Sequence, residues 1–281
     1  MSELFKNRTL LIVTKHSKEA VLAPRLEYTL GVRCVVSSSF DTDILGTFSG
    51  ERERPGNALE VLRQKCNMGM EVEGFDLAIA SEGSFGTHPT IFFASANEEH
   101  LMLIDAKNNL EITSRVLSLE TNFNGAIIKS RTELAKFLAL CKFPSHGVIV
   151  KRSQYDYADM IKGITDYDTL YEAFDQLKSN TGSVFIETDM RALYNPSRMH
   201  VIGQAADKLT EKIAIECLKC LCPGFGMTSA TPGLPCSCCG HPTRSTLYHT
   251  YSCLKCLYSE KRWYPRSVKR EDPEFCNLCN P

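Results

Sequence analysis

Four Cys-x-x-Cys knuckles constrain this chain more than any other feature: Cys217/Cys220, Cys236/Cys239, Cys253/Cys256 and Cys276/Cys279. Each knuckle presents two thiolates from one tight turn, and zinc takes four such sulfurs in a tetrahedron. Fifteen residues separate the first two knuckles and nineteen the last two, the spacing of four-cysteine zinc sites. The eight cysteines are therefore expected to hold two structural zinc ions. Pairing the first knuckle with the second, and the third with the fourth, is favoured on those gaps. A nested pairing, second with third across thirteen residues and first with fourth, stays open. A redox dithiol or an iron–sulfur cluster fits four regularly spaced knuckles less well than zinc. His241 and His249 read as surface or hairpin residues, since the thiols suffice.

A disulfide framework is the competing reading, and it needs an exported chain. The opening residues carry one apolar run, 9–13, shorter than the roughly 7–15 residues of a signal-peptide core, so a cytoplasmic protein is expected. No apolar stretch approaches the roughly 18 residues of a membrane helix, and no membrane partner is expected. Apolar and charged shares of 43% and 23% argue against disorder. Charge divides the chain: 24 basic and 29 acidic residues up to position 216, eight and four beyond it. Two regions are expected, an α/β domain at 1–216 and a small β-rich zinc-ribbon domain at 217–281.

Within the first region, short apolar runs at 9–13, 32–36, 76–80, 101–104, 126–128, 147–150 and 183–187 predict strands. Several are apolar throughout, which suits a sheet covered on both faces. Helical patterns lie between them. Ser130-Arg-Thr-Glu133 has capping-box spacing, and Leu134, Phe137, Leu138 and Cys141 follow on one face. Leu170, Phe174 and Leu177 share a second face, and Met199, Ile202, Ala206, Leu209 and Ile213 a third. This alternation predicts an α/β fold, a mixed sheet flanked by helices. The sheet is mixed because 91–112 reads as a meander turning at Lys107-Asn108-Asn109.

Four polar stretches carry candidate chemistry. After the first strand, Thr14-Lys15-His16-Ser17-Lys18-Glu19 leads into a helix. Free N–H groups at such a turn suit phosphate, with Lys15, His16 and Lys18 as cationic donors. On these six residues alone the plainer reading is a solvated turn with Ser17 as N-cap. The stretch 40–56 then enters a helix bearing Glu60 and Lys65. Glu60 is either a Mg²⁺ ligand or an exposed helix residue behind a solvated charge run at 51–54. A third strand delivers Ser81 and Glu82 to its carboxyl end, where ligands of open α/β sheets bind. Gly83 and Gly86 follow, and His88 is a ligand, a base or a loop residue. In the fourth stretch, Asp189, Arg191, Asn195 and Arg198 fall within ten residues; they either face a shared cleft, or Asp189 and Arg191 pair with each other while Asn195-Pro196 starts a helix.

The three early stretches together resemble the inosine-triphosphate pyrophosphatase-like superfamily, which includes the Maf-like proteins. Thr14-Lys-His16-Ser-Lys18 is similar to its Ser/Thr-x-Asn-x-x-Lys phosphate turn, with histidine at the asparagine position. Glu60 and Lys65 match its metal-binding glutamate and the lysine five residues on, and Ser81-Glu82-Gly83 its strand-end acidic turn. The resemblance implies a Mg²⁺-dependent nucleotide or phosphate-ester hydrolase, with Mg²⁺ on Glu60 and Glu82. Joined to the reading above, the expected cleft places His16, Lys18, Lys65 and Arg191 on the phosphates. Glu82, His88 and Asp189 are its catalytic candidates, and a phosphorylated small molecule or nucleotide is its ligand. The whole chain also resembles an uncharacterised family, a domain of unknown function. That resemblance rests on His16-Ser-Lys-Glu19, Gly46-Thr-Phe-Ser-Gly50, Ser81-Glu-Gly-Ser-Phe-Gly86 with His88-Pro89, Glu187-Thr-Asp-Met-Arg191 with Asn195-Pro196, and Cys276-Asn-Leu-Cys279-Asn-Pro. It implies no activity.

Between positions 240 and 270, Arg244, Lys255, Lys261, Arg262, Arg266, Lys269 and Arg270 stand against Glu260 alone. Tyr248, Tyr251, Tyr258, Trp263 and Tyr264 are interleaved. Such a strip suits nucleic acid, where cations meet phosphates and rings stack on bases. The plainer reading is solubilising charge over aromatics that pack a small metal-held domain, since the strip's net charge is modest for a binding patch. The rival to a hydrolase is therefore a non-catalytic zinc-ribbon module that binds nucleic acid or protein through Arg244 to Arg270.

Overall fold

The computed structural model describes residues 3–46 and 56–281. The charge run at 51–54 and most of the motif at 46–50 lie outside the described residues. The chain divides into two compact units, Glu3–Thr210 and Glu211–Pro281.

The first unit opens with β1 (Thr9–Val13), α1 (Glu19–Leu30), β2 (Arg33–Val36), α2 (Ala58–Glu73), β3 (Leu77–Thr87), β4 (Ser95–Asp105) and β5 (Leu110–Ser118). These strands form one mixed sheet in the order β2-β1-β3-β4-β5. β1 runs parallel to β2 and β3, and β3, β4 and β5 form the expected antiparallel meander. Helix α2 covers one face: Leu62, Cys66 and Met70 pack on Leu11, Val13, Ala78, Ala80, Met102 and Ile104. The helix lies so close that a Cβ at Gly69 would stand 2.7 Å from a Val13 methyl. The opposite face meets α5 (Pro196–Ile213), whose Ala205 carbonyl accepts the Ser114 hydroxyl of β5 at 2.7 Å.

A second sheet replaces the continuation of the first. β6 (Gly125–Ile128), β7 (Val148–Lys151), β8 (Ile161–Ile164) and β9 (Val184–Thr188) pair in the order β6-β9-β7-β8, every neighbour antiparallel. The mixed sheet expected from sequence is the first sheet, and the strands from β6 on form a second, antiparallel one. The link from β7 to β8 is too short for a parallel crossover, which takes a dozen or more residues, so those strands pair as neighbours in antiparallel sense. Leu134, Phe137 and Leu138 of α3 (Arg131–Leu140) and Leu170, Phe174 and Leu177 of α4 (Tyr167–Thr181) bury this sheet's apolar face. Both helices start as their sequences dictate. The Ser130 hydroxyl accepts from the Glu133 N–H, and the Asp166 carboxylate from the Thr169 N–H.

In the second unit, β10 (Gly226–Pro232), β11 (Thr246–Ser252) and β12 (Ser259–Trp263) form an antiparallel three-stranded sheet. Beyond position 216 its buried apolar residues are five cysteines, Pro223, Phe225 and Leu234.

Candidate functional site

Winding of the first sheet reverses between β1 and β3, the switch point at which α/β sheets leave a crevice beyond their strand ends. The chain leaves β1 through His16 and Ser17, both left-handed at φ 68° and 58°. That conformation costs an L-residue about 1–2 kcal/mol. It swings Lys18 inward rather than letting Ser17 cap the helix. Lys18 itself holds the N-cap position of α1 and makes no side-chain cap bond. Its side chain is 5% exposed, and its ammonium donates to Ser81 Oγ at 2.8 Å.

Two buried ion pairs flank it. Lys65 of α2 meets Glu82 of β3 at 2.5 Å, and Arg198 of α5 meets Glu99 of β4 at 2.7 Å. Arg198 also donates to the Met190 carbonyl. Three cations therefore share this region with two carboxylates, and Lys18 forms no ion pair among the described residues. Burial first, then the charges of Arg198 and Lys65, lower the Lys18 pKa to about 7. Strand alternation sets Glu99 and Asn97 on one face of β4. Asn97 is fully buried, and neither its amide oxygen nor its nitrogen has a hydrogen-bond partner among the described residues. Gly83 lies opposite Glu99 in the register. A Cβ there would sit 2.4 Å from Glu99 Oε1 and 2.7 Å from Arg198 Nη2.

The structure thus gathers Lys18, Lys65 and Glu82 with Ser81 and Arg198 of the same polar stretches, and adds Glu99 and Asn97, which were not among the sequence candidates. Other candidates go elsewhere. The Ser81–Gly86 stretch is no turn: β3 runs on to Thr87, paired with β4 throughout. His88 follows its far end, about 20 Å along an extended strand from Glu82. There its Nδ1 accepts from the Thr90 and Ile91 N–H groups at 3.2 and 3.1 Å. Glu60 is exposed and closes the capping box of α2, its carboxylate accepting the Asn57 N–H at 3.0 Å. It lies about 140° around that helix from Lys65, so the two glutamates assigned to Mg²⁺ face different surroundings. Asp189 and Arg191 pair with each other at 2.5 Å, and Asp189 also accepts the Gly163 N–H. His16 is half-buried in the left-handed turn.

The cysteines form two groups of four, Cys217, Cys220, Cys253 and Cys256, and Cys236, Cys239, Cys276 and Cys279, with all sulfurs of a group within 4.8 Å of one another. Neither sequential nor nested pairing is present. The first knuckle joins the third, and the second joins the fourth. The meander explains this. Gly226 at the start of β10 pairs with Ser252 at the end of β11, so the knuckles before β10 and after β11 meet at one end of the sheet. Tyr248 pairs with Trp263 at the end of β12, which brings the knuckles before β11 and after β12 to the other end.

Contacts between knuckles are 3.6 and 3.7 Å in the first group and 3.8 and 3.6 Å in the second. A disulfide is about 2.05 Å, whereas metal–sulfur bonds of about 2.3 Å in a tetrahedron separate sulfurs by about 3.8 Å. Each knuckle has the same local build: the first cysteine's carbonyl accepts the N–H four residues on, at 2.8–3.0 Å. The N–H groups of Cys279 and Leu278 hold the Cys276 thiol at about 7. Cys220 receives the N–H of Cys222, yet burial and the surrounding thiols push it to about 12. Sulfurs this close cannot all ionise without a cation among them, and both groups fit a metal ion.

Residues 65–281, well over half of the chain, match the model of a family described as a domain of unknown function (DUF6671). The matched span takes in Lys65, Glu82, Glu99, Arg198 and all eight clustered cysteines. No curated protein matches the chain.

Proposed function

The chain thus belongs to a family whose description assigns no activity, and from that premise we propose that it is a two-zinc protein whose α/β unit binds a phosphorylated small molecule beside Lys18. The observation that carries the reading is Lys18: a buried ammonium, hydrogen-bonded to a serine, beside two cations that already have their carboxylates. A buried charge without a counter-charge is costly. An anionic ligand supplies the missing charge, and the start of α1 adds its partial positive end. The unsatisfied amide of Asn97 offers a polar contact on the same face of the sheet as Glu99. Zinc is the metal of choice for two closed sets of four thiolates, and reduced thiols suit a cytoplasmic setting. The reading is of binding rather than turnover, because Glu60, His88 and Asp189 already serve the local structure.

Titration of the zinc-loaded protein with inorganic phosphate and pyrophosphate, followed by calorimetry at pH 6.5 and 8.5, tests this. Lys18 carries its proton mainly below about 7, so affinity should fall by about tenfold or more at the higher pH. The Lys18→Met variant should bind neither anion. Absence of heat at both values, or equal affinity in the variant, overturns the reading.

A further inference from the structure

The sheet of β10, β11 and β12 has two chemically different faces. One carries His249 and Tyr251 with their cross-strand partners Arg262 and Glu260. Tyr251 leans on buried Phe225 with ring centroids 6.3 Å apart. The Arg262 guanidinium lies over Tyr251 at 3.9 Å and bonds to Glu260 at 2.7 Å. Charge on that face is matched. The other face carries Tyr248 and Thr250 with their partners Trp263 and Lys261, and no acidic residue. The Tyr248 and Trp263 rings stand 4.7 Å apart, and Lys261 Nζ lies 4.4 Å from the first centroid and 5.9 Å from the second. Trp263 is 52% exposed. Lys261 forms no ion pair among the described residues, and neither do Lys269 and Arg270, which follow Trp263 in the chain.

We propose that this second face binds single-stranded nucleic acid, with bases stacked on Trp263 and Tyr248 and phosphates against Lys261. The exposed Trp263 ring, with half-buried Tyr248 beside it, gains by covering, and every base has a matching flat face. A nearby unpaired cation supplies the complementary charge. A duplex hides its base faces in the stack, so an open sheet surface suits a single strand better. An acidic peptide would satisfy Lys261 but leave the two rings without stacking partners.

Trp263 is the chain's single tryptophan, so its emission reports on this face directly. Zinc-loaded full-length protein is titrated at low salt with oligothymidine and oligouridine, and in parallel with polyglutamate. The expected result is saturable quenching by the oligonucleotides, weakening steeply with salt. Tyr248→Ala should weaken binding by about tenfold or more, with two zinc ions retained as the folding control. Lys261→Gln should lower the salt slope by about one. Unquenched emission of the unaltered protein at low salt overturns the proposal, and so does equal quenching by polyglutamate. The first result needs no variant, so a misfolded substitution cannot obscure it.

Discussion

The two units of this chain are held in order by different means. The α/β unit buries aliphatic and aromatic side chains against two sheets, and it tolerates buried ion pairs inside that mass. The cysteine-rich unit covers little beyond its own sulfurs, with Pro223, Phe225 and Leu234 as the buried apolar residues that are not cysteine past position 216. Burying a large apolar side chain contributes about 1.5–3 kcal/mol, while ordering each residue's backbone costs about 1–2 kcal/mol. Three such side chains cannot organise three strands and four knuckles. The contrast shows that burial suffices where helices can cover a sheet, and that a bare meander needs its ends clamped.

The largest expected effect breaks that comparison most directly. Removing metal with a chelator should abolish hydrogen-exchange protection across β10, β11 and β12 and leave β7 and β9 protected, because binding energy at such sites is folding energy. Protection that persists in the meander without metal would show that its packing suffices. Paired substitutions sharpen the second half of the argument. Cys217→Ser with Cys253→Ser should cost one zinc ion of two by elemental analysis, since both belong to one cluster. Cys217→Ser with Cys236→Ser should cost both. Sequential pairing predicts the reverse for these two doubles.

The smallest effect lies in the α/β unit. Lys18 is held at about 7 in the folded protein, below the ordinary 10.5. Between those values the unfolded chain keeps a proton that the folded one has released, so stability rises with pH across that window. Denaturant unfolding of the unaltered protein should show a higher midpoint at pH 9 than at pH 7. Lys18→Met should flatten that rise, and an unchanged rise in the variant would place its source elsewhere.

Periodicity made most of the elements legible. The apolar runs at 9–13 and 183–187 are β1 and β9, and the stripe from Met199 to Ile213 is α5. Glycine misled at Ser81–Gly86. Two glycines after a glutamate resemble a turn, but Gly83 is in a strand because the Glu99–Arg198 pair occupies the space of a side chain. The same burial hid Glu99, since charged residues in a sequence read as solvated. One signal was present: in 97–105, every second residue from Asn97 is buried, so Asn97 and Glu99 share the phase of Leu101 and Leu103. The knuckle pairing was legible too, in topology rather than spacing. Strands of an antiparallel meander return to alternate ends, and a knuckle at every strand end must then meet its second neighbour.

Because the ligand sets alternate along the chain, the cysteine-rich unit has no seam. A cut anywhere between Cys239 and Cys253 leaves each fragment with half of both sets. A tandem of ribbons could be shortened, duplicated or exchanged one ribbon at a time. This arrangement can be inherited or lost only whole. It also sets an order on the ribosome: the first set is incomplete until Cys256 has emerged, and the second waits for Cys279.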